Sequence, residues 1–114
     1  MRLTVFDINN IDRTKYDKSL KRALLGHVLG NEPNRDTWVA IYNGSVLAIA
    51  SSVDGILDFF NVIDVTRGRG VGDFLAKEIA AAIKRKSLDP KISERIVANP
   101  ILKKFLEARG FSSI

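Results

Sequence analysis

Three apolar runs in the middle of the chain, WVAIY, SVLAIASSV and ILDFFNVI, are separated by Asn43-Gly44 and Asp54-Gly55. Asn-Gly and Asp-Gly take positive φ at both central positions of a tight turn more readily than other pairs, so residues 38–63 predict an antiparallel three-stranded meander. Upstream, LTVFDI at residues 3–8 reads as a first strand. Tyr16, Leu20, Ala23, Leu24, His27 and Val28 then recur at helical spacing and give one apolar face, with Asn10 or Asp12 as the expected N-cap. GNEPNRD, residues 30–36, has the composition of a loop.

Downstream of the meander the pattern changes. VTRGRGVGDFLAKEI, residues 65–79, opens with three closely spaced glycines and closes as an amphipathic helix. Val71, Phe74, Leu75, Ile79, Ala82 and Ile83 form its apolar stripe. SLDP ends that unit, and ERIVA, residues 94–98, reads as a short strand. NPILKKFLEARG predicts a last helix with Asn99 as N-cap, Pro100 at its first position and Gly110 as C-cap. FSSI is then the stub of a further strand. The order predicts an α/β fold on a mixed sheet of α+β character, an antiparallel meander followed by a β-α-β unit.

Composition narrows the function. With 114 residues the chain is expected to form one domain over residues 1–114, and 46% hydrophobic with 27% charged residues describes a globular protein. No apolar run approaches the ~18–20 residues that span a bilayer, and MRLTVFDINNID is too short and polar for a signal peptide. The lack of cysteine removes disulfides, thiolate zinc sites and a cysteine nucleophile, and fits a reducing cytoplasm. No metal is called for. The net charge of +5 is dispersed. Lys84, Arg85 and Lys86 fall near a helix C-terminus, where cations complement the dipole. With Lys103 and Lys104 they are the candidate contacts for nucleic acid, but stacking aromatics and a helix-turn-helix pattern are both missing, so nucleic acid is not an expected partner.

A glycine-rich turn that opens a helix suits a phosphate. Free N–H groups and the positive dipole end attract the anion, and glycine clears its approach. Walker A spacing is absent, and a dinucleotide fingerprint fails because Asp73 stands where the third glycine would be and hairpins precede the loop. Arg67-x-x-Gly70-x-Gly72 does resemble the Arg/Gln-x-x-Gly-x-Gly/Ala signature of the GNAT (GCN5-related N-acetyltransferase) superfamily. Asn99, Gly110 and Phe111 are similar in spacing to that family's last-helix segment, and the order of elements matches over nearly the whole chain.

The resemblance implies acetyl transfer from acetyl-CoA, as co-substrate, to a primary amine of a protein or small molecule. It assigns the pyrophosphate to Arg67, Gly68, Arg69, Gly70, Val71, Gly72 and Asp73. Backbone groups of Asn61, Val62 and Ile63 fall to the acetyl carbonyl and pantetheine arm, and Asn99 to the pantetheine if it is more than a helix cap. Only roughly one in a few thousand lysine-like amines is neutral at pH 7, so a base is needed. Asp58, an acid within an apolar strand, is its candidate, while Asp64 reads as a loop residue. Two features depart from the family. Leu106 stands where a Tyr often protonates the leaving thiolate; Tyr16 and Tyr42 are candidate substitutes that read more simply as core residues, as does His27. The chain also stops three residues after Phe111, where relatives add two strands, so the open sheet edge is expected either to pair in a homodimer or to belong to a smaller sheet. Compact chains of this kind occur among phage proteins. The alternative function is a non-catalytic module of the same fold, acting through acyl-CoA binding or protein contacts.

Overall fold

The computed structural model describes residues 3–63 and 68–114. The chain runs β1 (Thr4–Asp7), a 3-10 turn (Ile8–Asn10), α1 (Asp17–Leu24), β2 (Arg35–Tyr42), β3 (Ser45–Val53), β4 (Ile56–Val62), α2 (Val71–Arg85), β5 (Lys91–Ile92), α3 (Glu94–Val97), α4 (Pro100–Glu107) and β6 (Ser112–Ser113). One sheet holds the six strands in the order β1-β2-β3-β4-β5-β6. The first four are antiparallel neighbours, whereas β5 and β6 join in parallel. A parallel neighbour needs a crossover, and α2 supplies it between β4 and β5, α3 and α4 between β5 and β6.

Both hairpins form as the dipeptides dictate. Asn43 and Gly44 have φ of 54° and 79°, Asp54 and Gly55 φ of 52° and 82°. The sheet is covered on both faces, so its strands alternate between two cores instead of between core and water. Val39, Ile49, Phe59 and Ile63 face α1 and meet Leu20 and Ala23. Ala40, Ala48, Ala50, Leu57 and Phe60 face α2 and meet Leu75, Ala76, Ile79, Ala80 and Ile83. Alanines under α2 leave room for that helix to lie close to the sheet. Bulges between Ala40 and Ile41 and between Ser51 and Ser52 shift the register of β2 and β4 against β3.

Several expectations are corrected. Residues 94–97 are a helical turn, not a strand; the strand is Lys91–Ile92, closed by Lys91 N–H to Gly55 O and Ser93 N–H to Leu57 O. A turn of helix lets Ile96 enter the core. The first helix is short: its N-cap is Tyr16, and His27 and Val28 lie beyond its end. Asp12 caps only the preceding turn, accepting from the N–H groups of Thr14 and Lys15. On α2, Phe74 is exposed and Ala82 half-buried, while Ala76 and Ala80 fill the core. The last helix ends at Glu107 with Ala108 as its C-cap, and Gly110, at φ 102°, turns the chain two residues later.

Candidate functional site

β4 runs on past the end of β5. The last pair between them is Leu57 with Ile92, after which the second chain leaves the sheet as α3. Beyond that point Phe60, Asn61 and Val62 border a cavity of about 590 Å³. Its other walls are Gly68, Gly70, Gly72 and Asp73 at the start of α2, and Asn99, Ile101, Leu102, Phe105 and Arg109 on or beside α4. The divergence of two parallel strands thus opens a cleft at the N-terminus of the glycine-led helix.

Each glycine there has its own reason. Gly68 and Gly70 have φ of 81° and 83°, and a Cβ on either would meet open space, so backbone conformation selects glycine at both. Gly72 is different: its Cβ would sit 3.2 Å from both Phe105 and Val62, so its bare Cα allows α2, α4 and β4 to converge. Gly70 is the N-cap of α2 and, having no side chain, makes no side-chain bond to the first-turn N–H groups. Those donors and the positive end of the helix dipole favour an anion at the cavity floor.

One carboxylate already stands in that first turn. Asp73 accepts from Arg109 Nε at 2.8 Å and pairs with Lys77 Nζ at 3.1 Å. Its pKa is lowered, first by the Lys77 hydrogen bond, against an opposing effect of desolvation, with the Arg109 hydrogen bond adding to the lowering. Arg109 also donates from Nη1 to Phe105 O at 2.8 Å, and its guanidinium carbon lies 3.7 Å from the Phe105 ring centroid. Phe60 packs on Phe105 from β4, with ring centroids 6.0 Å apart.

The sequence-derived site residues fall into groups. Gly68, Gly70, Gly72, Asp73, Asn61, Val62 and Asn99 border the cavity together. Asn99 is also a helix cap, its side chain accepting from Leu102 N–H at 3.2 Å. Arg69, Val71 and Ile63 do not border it: Arg69 is exposed, Val71 is buried in the α2-side core, and Ile63 N–H is bonded to Leu47 O within the sheet. Arg67 and Asp64 lie outside the described residues. Leu106 is fully buried, so the α4 aromatic at the cavity is Phe105. Neither Tyr16 nor Tyr42 borders it; Tyr16 packs against the α1-side core, whereas Tyr42 is exposed and not a core residue.

Asp58 does not border that cavity; its charged partner is Arg35 of β2. Arg35 grips it in a fork, Nη1 to Oδ1 at 2.9 Å and Nη2 to Oδ2 at 2.8 Å. Arg35 also reaches Glu32 and the buried Ser51. Its pKa is raised, first by the Asp58 hydrogen bond and then by that to Glu32, and the same Arg35 contact lowers the pKa of Glu32. Next to this network His27 stacks flat on Phe59, centroids 4.5 Å apart, with Arg95 over the same ring at 5.9 Å. Phe60, Phe105 and Arg109 went unnoticed in the sequence. The helical spacing of Leu102, Phe105 and Arg109 is the signal that brings the α4 members out.

The chain is similar over most of its length to solved structures. YhhK of E. coli, a candidate N-acetyltransferase bound to coenzyme A, superposes with a TM-score of 0.73 at 22% identity, over 96% of this chain and 91% of that one. An acetyltransferase of the GNAT family from Staphylococcus aureus Mu50 gives 0.61 at 10% identity, over 91% and 81%. The chain has the GNAT fold. A GNAT-like architecture does not fix activity, since a transcriptional regulator from Bacillus halodurans C-125 also matches, at 0.71 and 13% identity over 96% and 93%. No protein-family model and no curated protein sequence matches the chain.

Proposed function

We propose that the chain is an N-acetyltransferase that takes acetyl-CoA in the cleft between β4 and α4 and delivers the acetyl group to a primary amine. The observation that carries this reading is the glycine-led N-terminus of α2 opening into a cavity along the stretch of β4 that runs on past β5. The pyrophosphate fits the α2 N-terminus, and the thioester arm fits along Asn61 and Val62, with Asn99 across from it. Arg67 of the signature, outside the described residues, is a further proposed phosphate ligand. When bound, acetyl-CoA supplies an activated acyl group; the chain's residues hold it and exclude water.

Asp58 is the proposed proton acceptor for the incoming amine. Both of its oxygens are engaged by Arg35, but each keeps a lone pair, so Arg35 orients the carboxylate without closing it. The buried Leu106 cannot protonate the leaving thiolate, and a CoA thiolate leaves unprotonated. The same two observations favour the second reading, a module that binds acyl-CoA without turning it over.

Calorimetric titration of acetyl-CoA into wild type, Gly70→Asn and Gly70→Asp tests the site. Asn and Asp tolerate left-handed φ about equally, so their difference isolates charge from strain. Binding by wild type, retained by Asn and weakened at least tenfold by Asp, is expected. Absence of binding by folded wild type defeats the reading. An amine screen with Asp58→Asn as control then separates enzyme from module: turnover that falls in this variant supports transfer, and binding without any turnover supports the module.

A further inference from the structure

Arg109 stands in the wall of the same cavity with part of its guanidinium uncommitted. Nε is used by Asp73 and Nη1 by Phe105 O, while Nη2 donates to no atom among the described residues. A guanidinium has five N–H donors, so most of its capacity is unspent. The group is also held rigidly. The Phe105 ring lies beneath it, Asp73 fixes one edge, and its side chain keeps only 23% of its exposure. An immobilised guanidinium fork matches the geometry of phosphate oxygens better than any lysine.

The charges around it fit the same role. Asp73 occupies the first turn of α2, where an incoming phosphate would be repelled by an uncovered carboxylate. Arg109 covers one of its oxygens and Lys77 the other. The trio therefore carries one net positive charge at a helix N-terminus that is itself positive.

We propose that Arg109 is a phosphate-binding residue of this site, clamped in place by Asp73 and Phe105. The proposal rests on the acyl-CoA reading given above, and adds to it a contact from α4 that the glycine signature does not contain. The phosphate belongs either to the pyrophosphate or to the 3′-phosphate of the nucleotide.

The test is calorimetry with three ligands, acetyl-CoA, acetyl-dephospho-CoA and acetylpantetheine, on wild type, Arg109→Gln and Arg109→Lys. The Gln variant is expected to lose about 10–100-fold in affinity for acetyl-CoA, the range of a charge-assisted hydrogen bond. Its binding of acetylpantetheine, which has no phosphate, is expected to be unchanged. Equal loss for acetyl-CoA and acetyl-dephospho-CoA places Arg109 on the pyrophosphate; loss for acetyl-CoA alone places it on the 3′-phosphate. Should the Gln variant not fold, the Lys variant keeps the charge and the stem on Phe105 but not the fork, and shows a smaller loss with the same ligand pattern. Unchanged affinity in a folded variant, or equal weakening of all three ligands including acetylpantetheine, overturns the proposal. Wild type that binds no acetyl-CoA defeats the acyl-CoA reading itself, an outcome distinct from binding that survives the loss of Arg109.

Discussion

The chain has a single histidine, and its ring lies parallel to Phe59 at the edge of the α1-side core. In the sequence His27 fits a helical stripe as a core residue; in the fold it lies past α1, carried there by left-handed Leu25 and Gly26. Its pKa is lowered, first by burial and then by the positive charge of Arg95 and, more weakly, Arg35, with Asp58 opposing. The fold therefore holds a proton on this ring less tightly than the unfolded chain, whose value is 6.5. The stabilisation is complete above that value and is lost as pH falls through the lower folded value. The thermal midpoint is expected to fall between pH 7.5 and 5.5 in wild type and to stay flatter in His27→Phe, which keeps a ring on Phe59. An equal fall in both proteins would exclude His27 as the cause. Glu32 and Asp73, both lowered, act in the same direction but only below the ordinary carboxylate range.

At the scale of elements, helix ends govern the site more than helix faces. α4 begins with Asn99 accepting from Leu102 N–H and with Pro100 at its first turn, a pair that reads directly from the sequence because capping involves only neighbouring residues. Asn99 also borders the cavity, so its two roles can be separated. Asn99→Ala is expected to cost about 1 kcal/mol in urea unfolding through the lost cap. Asn99→Ser restores the cap and hence the stability, but not the reach of the amide. If Asn99 contacts the ligand, acetyl-CoA affinity stays reduced in the Ser variant; recovery of both properties would leave it a cap alone. The ERIVA run shows the converse. Its apolar residues suit a strand, yet its neighbours leave it none to extend, because β5 is already closed at Ile92 and Ser93. Tertiary placement of Ile96 decides for a helical turn.

Across the whole molecule the sheet separates two cores and couples them. Ile49 is fully buried on the α1 side, and its neighbour in β3, Ala48, is fully buried on the α2 side. Trp38 packs with the α2-side core. Ile49→Ala is expected to cost about 2–5 kcal/mol, the range for a large-to-small change in a tight core. The loss is expected to shift Trp38 fluorescence and far-UV circular dichroism together in a urea titration, although the two residues serve opposite faces. Separate transitions would mean that the two cores unfold independently.

Turn chemistry, the Asn99 cap and the glycine-led helix start were legible in the chain because each depends on dihedral preferences within a few residues. The meander, the start of α2 after its glycines and the Asn99–Pro100 start follow from them, and with their order the fold. What faces what was not legible. Arg35 and Asp58 lie far apart in sequence, as do Asp73 and Arg109, and only the packing of β2 on β3 and β4, and of α4 on α2, brings each pair within a hydrogen bond. Asp58 reads as a lone acid in an apolar strand until a bulge and a bordering arginine set its place. Arg109 reads as one more surface cation until Phe105 lies beneath it. Local preference writes the elements; long-range packing, which follows from the shape of the filled core, places their charges.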